Sequence, residues 1–127
     1  MGNSKQNIYI SQAIKQALKS PMKQRLGAII VCNNKIVSQG YNKPYMHKQG
    51  SLYSLHAEMD ALTHLSPNYK NCIMYVVRIK KINGELALGK SKPCNNCENK
   101  LMKAVERKNL DKIIYVNQNF NLIQQKN

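Results

Sequence analysis

Apolar residues recur along this chain with two different periods. Ile10, Ala13, Ile14, Ala17 and Leu18 fall three and four apart, the spacing of one helix face, and Pro21 closes that segment. Leu26 to Cys32 is a short apolar run, and Ile36 to Tyr41 resumes after Asn33-Asn34. Two β-rich runs around an Asn-Asn pair predict a hairpin. Residues 43 to 54 carry Pro, Gly, Ser and Lys without period and read as a loop. His56 to Leu65 returns to helical spacing, with Ala61, Leu62 and Leu65 inward, and stops before Pro67. Cys72 to Ile79 is nearly all apolar and β-branched, a buried strand, and Asn83-Gly84 predicts a tight turn returning through Leu86-Ala87-Leu88.

Cys94 to Lys108 is amphipathic, with Cys97, Leu101, Ala104 and Val105 on one stripe, and Lys112 to Val116 is a further strand. Phe120 to Ile123 is long enough for one more short strand. A parallel crossover needs a dozen or more residues, so that strand must pair antiparallel to its predecessor across Asn117-Gln118-Asn119. The order α-β-β-α-β-α-β, with a short final strand, predicts an α/β fold: three layers, α/β/α, around one mixed sheet of four to five strands. The 127 residues suit a single domain spanning 1–127, with the first few residues and the tail from about 118 as flexible ends.

Composition narrows the classes. Hydrophobic residues make up 43% with only four prolines and six glycines, so the chain is globular. No apolar run approaches the ~20 residues of a membrane span. Met1-Gly2-Asn3-Ser4-Lys5-Gln6 has neither the apolar stretch of a secretory signal nor the myristoylation pattern. The expectation is a cytoplasmic protein with no membrane partner. In a reducing compartment, four cysteines point to metal ligands plus buried thiols. The net charge of +14 has two readings: attraction for nucleotides or nucleic acid, or a merely solvated surface. The lysines are scattered, with weak clusters at Arg78-Ile79-Lys80-Lys81 and Lys90-Ser91-Lys92.

The chemistry concentrates in two places. Cys94 and Cys97 sit three apart at a helix start, so both thiols share one face, and Pro93 suits the first turn. A helix N-terminus favours thiolate, the ligating form. His56 opens another helix after a loop, which lets its imidazole point off the end toward the same metal. A Cys₂His set suits Zn²⁺, and three protein ligands leave open the position that catalytic zinc fills with water. Glu58, two residues on, can stand beside the metal without binding it and move protons. The competing reading is a structural zinc clip closed by His47, His64, Cys32 or Cys72. Cys32 and Cys72 read more simply as core thiols, and His64 lies about two turns from His56. His47, in the predicted loop, stays open as a fourth ligand.

His56-Ala57-Glu58 followed by Pro93-Cys94-Asn95-Asn96-Cys97 is a known zinc-deaminase signature. From Leu26 to Val116 the chain resembles the cytidine and deoxycytidylate deaminase superfamily. That likeness implies one zinc per chain on His56, Cys94 and Cys97, with Glu58 as proton shuttle. It implies substrate contacts from the Ala57 N–H, from Asn42 to the sugar, and from the carbonyl near Lys92-Pro93 to the exocyclic amine. It also implies a homo-oligomer. A histidine first ligand resembles deoxycytidylate, cytosine, tRNA-adenosine and polynucleotide deaminases. The short tail and the long 78–91 hairpin depart from that pattern.

Three functions follow. The first is hydrolytic deamination of cytosine to uracil in a small nucleoside or nucleotide. The second is editing of RNA or single-stranded DNA, which the charge favours and the thin aromatic supply opposes, although Tyr41, Tyr45 and Tyr53 flank the expected site. The third is a non-catalytic zinc-stabilised binding domain, which has no use for Glu58. Non-specific nucleic-acid binding through the basic surface is expected in any of these.

Overall fold

A computed structural model describes residues 4–21, 25–46, 52–82, 85–89, 102–116 and 122–125. Helix α1 spans Ser4–Leu18 and is followed by strands β1 (Arg25–Cys32) and β2 (Lys35–Tyr41). Asn33 and Asn34 connect them with φ of 52° and 64°. Both central residues of a two-residue hairpin turn need positive φ, and asparagine tolerates it, so the Asn-Asn signal is honoured. Next come β3 (Lys43–Met46), β4 (Leu52–Leu55), α2 (Ala57–Thr63), β5 (Cys72–Ile82), β6 (Glu85–Gly89), β7 (Leu110–Val116) and β8 (Leu122–Gln125). Residues 102–106, ahead of β7, are helical.

The main sheet runs β2-β1-β5-β7-β8, with β6 paired to β5. It is mixed: β5 and β7 are parallel and the other pairs are antiparallel. The predicted final strand forms as β8 and pairs antiparallel to β7, Ile113 facing Gln125. The predicted return from Asn83-Gly84 forms as β6, which raises the strand count to six. Arg78 and Ile79 already pair with β1 on one side, so β6 takes the side that β7 leaves free beyond Val76.

One expectation is corrected. Residues 43 to 54 are not simply a loop: β3 and β4 pair antiparallel as a separate two-stranded sheet, Lys43 facing Leu55 and Tyr45 facing Tyr53. Proline and serine weaken the alternation that marks a strand, while a two-stranded ribbon needs only its backbone ladder.

Alternation along the central strands divides the core in two. Ala28, Ile30, Cys32, Met74, Val76, Ile113 and Tyr115 point to the face covered by Ala57 and Ala61 of α2 and by Ala104. Ile29, Val31, Tyr75, Val77, Ile79, Ile114 and Val116 point to the face covered by Tyr9, Ile10, Ala13 and Ala17 of α1. Strands buried on both faces read as continuous apolar runs, as these do. The expected three-layer α/β/α fold is therefore the observed one.

Small residues set how closely the helices approach. A Cβ on Gly27 would lie 2.1 Å from the Ala13 carbonyl oxygen and 2.5 Å from the Ala17 nitrogen, both backbone atoms of α1. Gly27→Ala must push the helix off the sheet and should lower stability by about 3 kcal/mol or more, beyond ordinary overpacking. Asn34→Gly, at a positive φ that glycine accepts freely, should change stability by less than about 0.5 kcal/mol. Urea denaturation of the two variants side by side checks the contrast.

Candidate active site

Helix α2 begins at Ala57, and His56 is its N-cap residue, with φ −75° and ψ 150° and no side-chain capping bond. The histidine ring is thus not spent on the helix end. The His56 carbonyl accepts the Asp60 N–H at 3.0 Å and starts the helix. Ala57 and Ala61 are fully buried against the sheet. Opposite them, a Cβ on Gly40 would stand 2.5 Å from the Ala61 nitrogen and 2.7 Å from the Ala57 oxygen. Only glycine lets the first turn of α2 lie this close to β2. Ser38 adds a hydroxyl bond to the Ala61 carbonyl at 2.5 Å.

Glu58, on that first turn, is 2% exposed. Among the described residues its Oε1 has no hydrogen-bond partner. Burial pushes its carboxyl above the ordinary carboxylate range, partly offset by a bond to its own backbone and by the His56 charge. A buried carboxyl whose pKa is raised holds its proton more readily than an exposed one, the property a proton-transfer group uses.

Asn42 follows β2 and is 4% exposed. Its Oδ1 accepts the Leu26 N–H at 2.7 Å, and its own N–H donates to the Leu26 carbonyl at 3.2 Å. Continuing the β3–β4 register one residue past Lys43–Leu55 sets Asn42 opposite His56. The hairpin absent from the sequence reading is therefore what brings Asn42 to the start of α2.

Cys94, Cys97 and Lys92 lie outside the described residues. The competing clip can be judged in part. Cys32 and Cys72 are buried free thiols in neighbouring strands, each within reach of the Lys70 carbonyl, at 3.4 and 3.8 Å. The Cys72 thiol is pushed up to about 12 by burial and by Cys32, the opposite of a metal-ready thiolate. The His64 Nδ1 lies 2.8 Å from the Asp60 carbonyl. Among the described residues no three His, Cys, Asp or Glu side chains gather as a metal site, so His56, His64, Cys32 and Cys72 do not close a clip together. The donor chemistry nevertheless fits zinc at α2: an imidazole at the helix start that makes no capping bond, near a buried carboxylate whose Oε1 has no partner among the described residues.

Two cavities, of about 290 and 310 Å3, lie elsewhere. The first lies between Met59 and Leu62 of α2 and Lys103, Ala104 and Arg107 ahead of β7, and the second lies beside α1 near Tyr9 and Tyr75. Neither is lined by Asn42, His56 or Glu58.

The family model for the cytidine and deoxycytidylate deaminase zinc-binding region matches residues 3–116. The chain belongs to this family. Solved members of the deaminase fold superpose on it. The dCMP deaminase of cyanophage S-TIM5 in its apo form gives a TM-score of 0.63 at 20% identity, over 92% of this chain and 86% of that one. The same phage enzyme in complex with dCMP and dUMP gives 0.62 at 21%, over 92% and 84%. The cytidine deaminase of Burkholderia pseudomallei gives 0.62 at 19%, over 94% and 91%. No curated protein matches the chain in sequence. Among the described residues, no helix of this deaminase-family chain is long and apolar enough to cross a membrane.

One buried acid escaped the sequence reading. Asp60 is 4% exposed. It lies three residues from Ala57 and one from Ala61, on the apolar stripe of α2, and a carboxylate on such a stripe is itself a signal.

Buried in this way, the Glu58 carboxylate opposes folding when ionised. Because its folded pKa is raised, that cost is absent below the unfolded pKa and grows as pH rises through the folded value. Glu58→Gln should therefore gain stability relative to the parent at pH 7, on the order of 1 kcal/mol, and lose that advantage toward pH 4. Thermal denaturation at both pH values, with matched metal content, measures it.

Proposed function

We propose that this deaminase-family chain is a zinc-dependent aminohydrolase that converts cytosine to uracil in a small nucleoside or nucleotide. The observation that carries the reading is Glu58: a buried acid on the first turn of α2 whose Oε1 has no hydrogen-bond partner among the described residues. In this reading His56, Cys94 and Cys97 hold the metal. Bound zinc supplies a nucleophile at neutral pH by acidifying water.

The remaining work falls to the chain. The reaction exchanges C–NH2 and water for C=O and ammonia. Glu58 takes the proton released as the water oxygen adds to the base carbon, and delivers it to the departing nitrogen. A carboxyl with a raised pKa suits both halves. The Ala57 N–H lies in the helix's first turn, where backbone donors have no intrahelical acceptor, and it binds the base carbonyl. The Lys92 carbonyl accepts from the exocyclic amine, and Asn42 orients the sugar. Burial of Glu58 excludes the bulk water that would otherwise compete for its proton.

The phage dCMP deaminase was solved with dCMP and dUMP, a pair related by this reaction. That supports a pyrimidine nucleotide as substrate class, and the +14 charge is compatible with an anionic one. Self-association as a homo-oligomer belongs to the same reading. The charge also favours editing of a polynucleotide as the second reading.

Ammonia release should be measured over cytidine, deoxycytidine, dCMP, cytosine, guanine and single-stranded nucleic acids. Turnover on a small cytosine compound is expected, with salt-sensitive but unproductive RNA binding. Faster, context-dependent conversion in a strand would favour editing. Glu58→Gln should keep its metal and lose about 10²–10⁴-fold or more in turnover; activity within a few-fold of the parent refutes the shuttle. Elemental analysis should find about one zinc per chain, removed by Cys94→Ser or Cys97→Ser and retained in Cys32→Ser and Cys72→Ser.

A further inference from the structure

Asp60 stands two residues after Glu58 on the same helix, yet its surroundings are opposite. Its Oδ2 accepts the Tyr41 N–H at 3.2 Å and the Lys43 ammonium at 2.9 Å, while Oδ1 is 3.6 Å from His64 Nδ1. Lys43 also lies over the Tyr41 ring, its Nζ 4.1 Å from the centroid. The two groups gripped by Oδ2 bracket Asn42 in sequence. Asn42 is in turn tied to Leu26 through side chain and backbone. Lys43 is also the first residue of the hairpin whose last residue, Leu55, precedes His56.

An apolar residue would suffice to pack α2 on the sheet, as Ala57 and Ala61 do. A buried ion pair stabilises little after desolvation, but it fixes geometry, because displacing either partner strands a charge. We infer that Asp60 is a positioning residue: its carboxylate clips the Tyr41–Lys43 corner to α2 and thereby sets Asn42 and the hairpin base relative to Glu58. The clip stands on the contacts above, whereas its effect on substrate rests on the deaminase reading. Lys43, whose ammonium is answered by Asp60 and lies over the Tyr41 ring, serves the clip rather than an anionic substrate.

The test uses Asp60→Asn, Lys43→Met and the double variant of the full chain. Asp60→Asn keeps the shape and an acceptor for Tyr41 but loses the charge. Steady-state kinetics on the best small substrate, metal content and amide hydrogen exchange at residues 41–43 are read together. Each single variant should raise KM about tenfold, leave kcat within about threefold and keep its zinc. The Tyr41 amide should exchange faster, and the double variant should be no worse than either single one. A fall in Tm with KM unchanged would reduce the clip to a structural contact and overturn the inference, as would additive effects. If the parent turns over none of the substrates, the deaminase reading fails, and hydrogen exchange alone decides the clip: undiminished Tyr41 protection in both single variants overturns it. Should Asp60→Asn not fold, Lys43→Met, at the more exposed partner, carries the same readouts.

Discussion

The close approach of α2 to β2 governs the rest of the molecule around the site. At Gly40 the helix backbone comes so near that no Cβ fits, with Ala57, Asp60 and Ala61 all within 2.8 Å of where one would stand. Sliding α2 away would unmake the Ser38 bond and the burial of both alanines together. Interiors packed this densely do not deform continuously. The first turn of α2 is therefore held as firmly as the sheet, and with it the His56-Ala57-Glu58 segment.

On that fixed helix two acids meet contrasting surroundings. Asp60 Oδ2 is held by an amide and an ammonium, with an imidazole 3.6 Å from Oδ1. Glu58, under the same degree of burial, has no hydrogen-bond partner for Oε1 among the described residues.

Much of this was legible in the sequence because it is local. Asn33-Asn34 announces its turn, the unbroken run from Cys72 announces a strand covered on both faces, and the length of Phe120 to Ile123 dictates antiparallel pairing. His56-Ala57-Glu58 stands out for the same reason. The β3–β4 ribbon was illegible: its stability comes from pairing, and Pro44 and Ser54 disguise the alternation. Asp60 was overlooked because its partners Tyr41 and Lys43 lie 19 and 17 residues away in sequence, a proximity that exists only once Gly40 has admitted the helix.

The ribbon has a consequence for how such a site can change. Its two ends are joined at the Lys43–Leu55 base, beside Asn42 and His56. Closing a longer tip costs chain entropy that rises only with the logarithm of its length. Residues can thus be added or exchanged between Met46 and Leu52 while the base keeps its spacing. A change of length there is mechanically insulated from the base, so the chain can vary at one end of the ribbon while β2 and α2 keep their spacing at the other.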